Sequence, residues 1–358
     1  MNVSPAAPAT RLILPIQYLR GVAALLVVWY HSIEQVPGVS NFFASGFGTS
    51  GVDLFFVISG FIMVTTTLDN APTPLEFMRR RIVRVVPLYW LLTLAMVGLA
   101  LCVPTLFHSL IVAPVPLVES LLFVPHFSDS FPSMVWPLLV PGWTLNFEMF
   151  FYVVFACSLW LPTRLRLPAL ALVFGTLVTV GLTQGPFTTA AARVYLSPLL
   201  IEFVAGAAVG TWWRLRPAAP PAAVSALLLS CGFAMLVYRD HPPLGGFTQM
   251  IGAALMVLGA LNPSFATRRI GWLRALGDSS YSLYLTHLFT LGALRVLWSR
   301  LVPPIETLPG ATAFVAVAIV ACCVVGWLSF RWLETPMLHW LNARTGRRRA
   351  GNAAPLAS

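Results

Sequence analysis

Residues 14–35 read LPIQYLRGVAALLVVWYHSIEQ. A span needs about 20 mostly apolar residues, and this run supplies them. It also carries two groups that a bilayer resists, Arg20 and His31. An ionisable side chain at the centre of a span costs at least about 2.5–3.5 kcal/mol on insertion scales, which makes it a functional candidate by default. The two positions lie about three helical turns apart, so both fall on one face, about 16 Å from each other along the axis. The plainer alternatives are an Arg that snorkels to the aqueous edge and a His held by a core hydrogen bond. The run follows a short polar N-terminus and continues through Trp29, Tyr30 and His31 with no small-residue cleavage site. It is therefore expected to stay as the first span and not to leave as a signal peptide.

The same apolar character extends along the chain. Of its 358 residues, 58% are hydrophobic and only 9% charged, with a mean hydropathy of +0.82. A soluble domain carries about 25% charged residues, so this chain cannot cover a water-facing surface. A soluble enzyme, a disulfide scaffold and a disordered protein are excluded. The apolar runs are continuous, which excludes the alternating strands of an outer-membrane barrel. The expected fold is an all-α integral membrane protein, a bundle of about ten transmembrane helices. The spans fall near 14–35, 51–67, 85–103, 142–161, 168–184, 193–213, 222–239, 244–262, 279–299 and 311–331. Residues 1–11 form a short leading segment, 12–340 the membrane domain and 341–358 an Arg-rich polar tail. The longest loop, 104–141, is rich in Pro, and its stretch from Leu117 to Val124 is apolar enough to re-enter the membrane or lie at its interface. No internal repeat of the transporter kind is visible.

The formal net charge is +10, and all 22 basic residues are Arg. They sit in short clusters between apolar runs, which points to topology and not to nucleic acid. With a cytoplasmic N-terminus, the inner loops and tails take Arg11, Arg79, Arg80, Arg81, Arg84, Arg164, Arg166, Arg214, Arg216, Arg268, Arg269, Arg274, Arg344, Arg347, Arg348 and Arg349, against Arg193, Arg239 and Arg300 outside. This asymmetry sets both termini in the cytoplasm. The Cys residues 102, 157, 231, 322 and 323 fall mainly in apolar runs without metal-site spacing and read as packing residues.

Other polar residues interrupt the spans. Asp53 stands at the outer end of the second span, where it can face water, with Gly and Ser residues suited to close helix packing. Arg81 and Arg84 precede the third span at i,i+3 spacing. They either anchor the inner interface or clamp phosphate with their guanidinium forks. Arg79 and Arg80 read as anchors. Glu148 lies about two turns into the fourth span, at a depth like that of His31. Glu202 is placed mid-span in the sixth, where Gly206 and Gly210 form a small-residue pair for packing within or between chains. His287 is placed in the inner half of the ninth span. Arg331 and Glu334 close the tenth, spaced to pair with each other. Sorted by depth, Arg20, Arg81, Arg84, His287, Arg331 and Glu334 form an inner group, and Asp53, His31 and Glu148 an outer one. Inner arginines suit an anionic cytoplasmic ligand, and a His near an acid suits proton transfer. No His/carboxylate spacing suits a metal.

Together these segments resemble the acyltransferase-3 family of membrane acyltransferases from about Leu12 to Trp340. The Arg-x10-His motif matches Arg20 and His31, and Arg-x-x-Arg matches Arg81 and Arg84. The run Gly51 to Phe61, Trp143-Thr144 with Glu148, Tyr281 to Leu285 with His287, and Glu334-Thr335-Pro336 also fit. Residues 16–21 and 73–77 look most like the branch of exopolysaccharide acetyltransferases linked to succinoglycan-type polymers. Some members carry a C-terminal SGNH-hydrolase-like domain, and this chain is expected to lack one.

The resemblance implies a multi-pass enzyme of the bacterial inner membrane. It would transfer an acyl group, most often acetyl, from a cytoplasmic acyl-CoA co-substrate to a sugar hydroxyl of a glycan or lipid-linked saccharide, with no permanently bound cofactor and no metal. Arg81, Arg84 and Arg20 would hold the acyl-CoA phosphates. His31 would be the chemical centre, either deprotonating a hydroxyl or accepting the acyl group itself. Glu148 would orient His31 or bind the acceptor, with Asp53, His287, Arg331 and Glu334 in support. The alternatives are acylation of a small molecule such as a macrolide, and a transporter or flippase of lipid-linked sugar.

Overall fold

The computed structural model describes residues 13–68, 71–104, 110–215, 220–238, 247–262, 270–302 and 305–344, and among these there is no strand. The first helices are α1 (Leu14–Glu34), α2 (Ser50–Thr67), α3 (Pro74–Cys102), α4 (Pro114–Leu121), α5 (Trp143–Ser158) and α6 (Thr163–Gln184). They are followed by α7 (Ala190–Tyr195), α8 (Leu200–Leu215), α9 (Ala222–Val237) and α10 (Phe247–Ala260). The last four are α11 (Gly271–Asp278), α12 (Ser280–Leu301), α13 (Leu308–Ser329) and α14 (Thr335–Arg344), with a π-helical turn, Phe330–Glu334, between the final pair. Residues 1–11, most of the tail, and Arg11, Arg216, Arg239, Arg268 and Arg269 lie outside the described residues.

Six segments are long and apolar enough to cross a membrane: Gly46–Thr67, Pro74–Cys102, Val140–Ser158, Thr163–Gln184, Ala190–Leu215 and Leu308–Arg344. The protein is thus a helical membrane protein. Each of the ten expected spans meets a helix, but α9 and α10 are short, with 16 and 14 residues. The sixth expected span is built from two helices, α7 and α8, and Glu202, near the middle of Ala190–Leu215, sits in the first turn of α8. The third begins much earlier than its apolar run. Thr73 and Glu76 form a reciprocal capping box and Pro74 opens the helix, so Arg79 to Arg84 belong to α3 itself. The loop segment read as re-entrant or interfacial, Leu117 to Val124, overlaps α4. Its Ser120 carbonyl accepts from the Tyr89 hydroxyl, and the Leu121 carbonyl from the Trp90 indole, which pins α4 to the middle of α3.

Packing follows from small residues and aromatic rings. The pair Gly206 and Gly210 serves contact within the chain: α8 lies against α2 so closely that a Cβ at Gly206 would collide with the Val57 carbonyl. A rail of rings runs from Phe56 to Phe203 (4.5 Å, stacked), Phe151 (4.5 Å), Phe155 (5.7 Å) and Phe77 (5.1 Å), joining α2, α8, α5 and α3. Phe55 packs against all three hydrophobic clusters of the bundle. Leu101, Leu172, Leu227, Val320 and Trp332 are exposed, as side chains facing lipid should be.

The start of α1, the start of α3, α11 with the start of α12, and the π-turn share one end of the bundle. Gly277 meets the Gln17 carbonyl, the Tyr281 hydroxyl donates to the Val85 carbonyl, and Arg84 meets Glu334. This is the Arg-rich end.

Gly206→Ala should destabilise the protein by about 1–3 kcal/mol, the usual cost of overpacking. Gly98→Ala, where a Cβ meets nothing within 4 Å, should be neutral or stabilising, because alanine is the better helix former. Thermal melting followed by fluorescence-detected size exclusion in detergent separates the two.

Candidate active site

At the Arg-rich end, α1, α2, α3, α5 and α12 enclose a cavity of about 170 Å³. Its polar lining includes Arg20, Ser59, Arg81, Arg84, Thr144, Glu148, Tyr152, Ser280, Tyr281 and Tyr284, and its apolar walls include Val52, Phe55, Ile62 and Met63. The three arginines expected to act on an anion therefore converge on one space.

Each is held differently. Arg20 Nη1 donates to Gln17 Oε1 at 3.1 Å, one turn earlier on α1. The Arg81 guanidinium lies over the rings of Phe77 (5.4 Å) and Tyr152 (5.8 Å), and its Nε takes no hydrogen bond among the described residues. Arg84 is ion-paired with Glu334 and sits over the Tyr281 ring at 5.5 Å. Glu334 is only 1% exposed, and its other oxygen accepts from Ser282 Oγ at 2.5 Å. This corrects the expected Arg331–Glu334 pair. The wider π-turn carries Glu334 inward, while Arg331 points out and is exposed.

Glu148 faces the cavity with the arginines instead of standing beside His31. It accepts from Ser59 Oγ at 3.0 Å and from the Tyr152 hydroxyl. The reason is the direction of α5, which starts level with Tyr89, so two turns inward reach the Arg81 level. Tyr152 and Ser59 were not singled out from sequence. The signal for Tyr152 was present, since it follows Glu148 at i+4 and an acid in a span needs a donor. Asp53, expected to face water, is 2% exposed.

His31 and His287 form a second centre. Their rings lie 5.0 Å apart at 36°. The expectation that they occupy different depths is corrected: α1 and α12 run side by side in the same direction from the Arg-rich end, so both rings sit beyond the cavity. Neither is in its lining. Tyr284 joins the two centres. It lines the cavity, and its ring also contacts that of His287 at 5.9 Å. Its hydroxyl donates to the Pro141 carbonyl at 3.0 Å and lies 2.9 Å from Thr144 Oγ1. His287 Nδ1 is 2.6 Å from the Tyr284 carbonyl. Among the described residues no group of three or more His, Cys, Asp or Glu side chains is arranged to hold a metal.

Residues 14–328 match the acyltransferase domain of the acyltransferase-3 family. The chain belongs to this family. It is 39% identical, over 83% of its own length and 92% of the relative's, to the exopolysaccharide production protein ExoZ of Rhizobium meliloti. It is 26% identical to the acyltransferase MdmB of Streptomyces mycarofaciens, over 94% and 93% of the two chains. It is 25% identical to the peptidoglycan O-acetyltransferase OatA of Listeria monocytogenes, over 89% of this chain and 54% of that one. No solved structure matches it. The protein is thus a membrane acyltransferase that transfers groups other than aminoacyl groups.

In this acyltransferase Arg84 and Glu334 depend on each other. Removing one partner of a buried pair costs about 3–5 kcal/mol, because the other charge is left uncompensated. Arg84 is 31% exposed, so Glu334→Gln should fall near the lower end, about 3 kcal/mol. The double variant Arg84→Met/Glu334→Met should recover most of that loss in a denaturation series, since it leaves no orphan charge.

Proposed function

We propose that this acyltransferase moves an acyl group, acetyl first among the candidates, from a cytoplasmic acyl-CoA to a hydroxyl of an exopolysaccharide or other cell-surface glycan precursor in the bacterial inner membrane. The carrying observation is the separation of the two centres. Arginines gather at one end of α1, and His31 lies about 16 Å further along the same helix. A donor that binds arginine through phosphate and reacts beside His31 must have a long flexible arm between phosphate and acyl group. Acyl-CoA has that shape. The sugar acceptor is supported by the likeness to an exopolysaccharide production protein and to a peptidoglycan O-acetyltransferase.

Arg20 and Arg81 are the phosphate contacts, each free to turn a guanidinium fork toward an anion. Arg84 is committed to Glu334 and shapes the wall, adding positive field to the cavity. Glu148, with Ser59 and Tyr152, offsets part of that field and keeps the site from closing on itself. On the general-base route, His31 takes the proton of the acceptor hydroxyl, and the oxygen attacks the thioester carbonyl. The carbon–sulfur bond then breaks, and the imidazolium returns its proton to the departing thiolate. On the nucleophilic route, His31 carries the acyl group between donor and sugar, and the hydroxyl proton again ends on the thiolate. Both place the same atom at the centre.

Purified protein in lipid nanodiscs, given acetyl-CoA with and without surface-polysaccharide precursor, tests this by release of free CoA. Release should be stimulated by acceptor. His31→Ala should lower it by about 10²–10⁴-fold, the span of general acid–base contributions, while still binding CoA. Arg81→Ala should instead weaken CoA binding. Near wild-type turnover by His31→Ala would falsify the assignment.

A further inference from the structure

We propose that His287 is a positioning residue for His31: an imidazole locked in one tautomer whose bare nitrogen accepts a hydrogen bond from the ring N–H of His31 during transfer. The inference rests on the reading that His31 handles the hydroxyl proton or carries the acyl group.

Three observations meet here. The Tyr284 carbonyl, 2.6 Å from His287 Nδ1, can only accept, so Nδ1 must be the nitrogen that donates. In a neutral ring that leaves Nε2 as a lone-pair acceptor. His287 is 1% exposed, and Nε2 is buried with no hydrogen-bond partner among the described residues. A buried acceptor without a donor costs about 1–3 kcal/mol and needs an explanation. The His31 ring is the nearby group able to donate, 5.0 Å away between ring centres. On this reading the His31 ring turns to bring one of its nitrogens to Nε2.

The other obvious orienter is otherwise engaged. Glu148 is held by Ser59 and Tyr152 at the cavity. A base needs a partner on its second nitrogen to fix which nitrogen faces the substrate. His287 supplies that partner without a negative charge, in keeping with a site inside a bilayer. As His31 takes the hydroxyl proton at one nitrogen, the proton on its other nitrogen is the one hydrogen-bonded to His287 Nε2. That proton stays on His31, and the hydroxyl proton leaves with the thiolate, so His287 ends unchanged. On the acyl-carrying route the same bond holds the ring while the acyl group occupies the opposite nitrogen.

The test compares His287→Asn with His287→Gln in the nanodisc assay. Asn keeps an amide donor toward the Tyr284 carbonyl but removes the acceptor at the ε position, and Gln places a carbonyl oxygen there. His287→Asn should lower kcat by about 10- to 100-fold, as loss of one buried hydrogen-bond partner predicts. KM for acetyl-CoA should stay within about twofold, since only transition-state binding is lost. His287→Gln should recover most of the rate. The double variant with His31→Ala should be no slower than His31→Ala alone. Equal loss in Asn and Gln variants, wild-type rates in the Asn variant, or multiplying losses in the double variant would overturn the proposal. So would an Nε2–H tautomer at His287, read by ¹⁵N NMR of the unsubstituted protein. If His31→Ala itself stays active, the parent reading fails instead.

Discussion

The contact between Arg84 and Glu334 joins positions 250 residues apart in an apolar bundle. Glu334 is 1% exposed and its charge is costly alone, so the pair draws α3 and the end of α13 together. The carboxylate takes its second bond from Ser282, which ties α12 into the same point. Two walls of the cavity, α3 and α12, are thereby fixed by one charge-neutralising cluster. Two others, α1 and α2, arrive through close backbone contact, with α1 on α11 at Gly277 and α2 on α8 at Gly206. Charge closes one side of the site and small residues close the other.

The consequence is a division of labour among similar side chains. Arg84 is spent on architecture, whereas Arg20 donates to the Gln17 amide and Arg81 lies over aromatic faces. Such contacts orient a guanidinium without neutralising it. Tyr284 couples the two centres, because its hydroxyl belongs to the α5 wall and its carbonyl fixes His287. A movement of α5 against α12 would be felt at both.

Helical class and the approximate place of the helices were legible in continuous apolar runs, and the convergence of Arg20, Arg81 and Arg84 in their Arg-x-x-Arg and span-depth pattern. What misled was depth. Counting residues inward from an assumed membrane edge placed Glu148 with His31 and separated His287 from it. Both errors come from helices that do not begin at the same level. The α5 helix starts deep, after the chain has returned along α3, and α12 follows the short helix α11, so its eighth residue is already level with His31. Glu334 failed for a local reason. An i,i+3 rule assumes α-helical turns, and here the turn is wider. Hydropathy reports which residues are in lipid, but carries little about where each helix enters.

That wider turn also acts on chain length. An α-helix rotates about 100° per residue, so the extra residue accommodated at 330–334 resets the angular phase of everything after it. The exposed faces of Trp332 and Trp340, and the stacking of Arg344 on Trp340 at 4.0 Å, inherit their bearing from this insertion. A one-residue deletion here would not behave as a loop shortening. It would swing the buried carboxylate off its guanidinium and rotate the terminal helix against the bundle in a single step, so chain length at this point is constrained as tightly as residue identity.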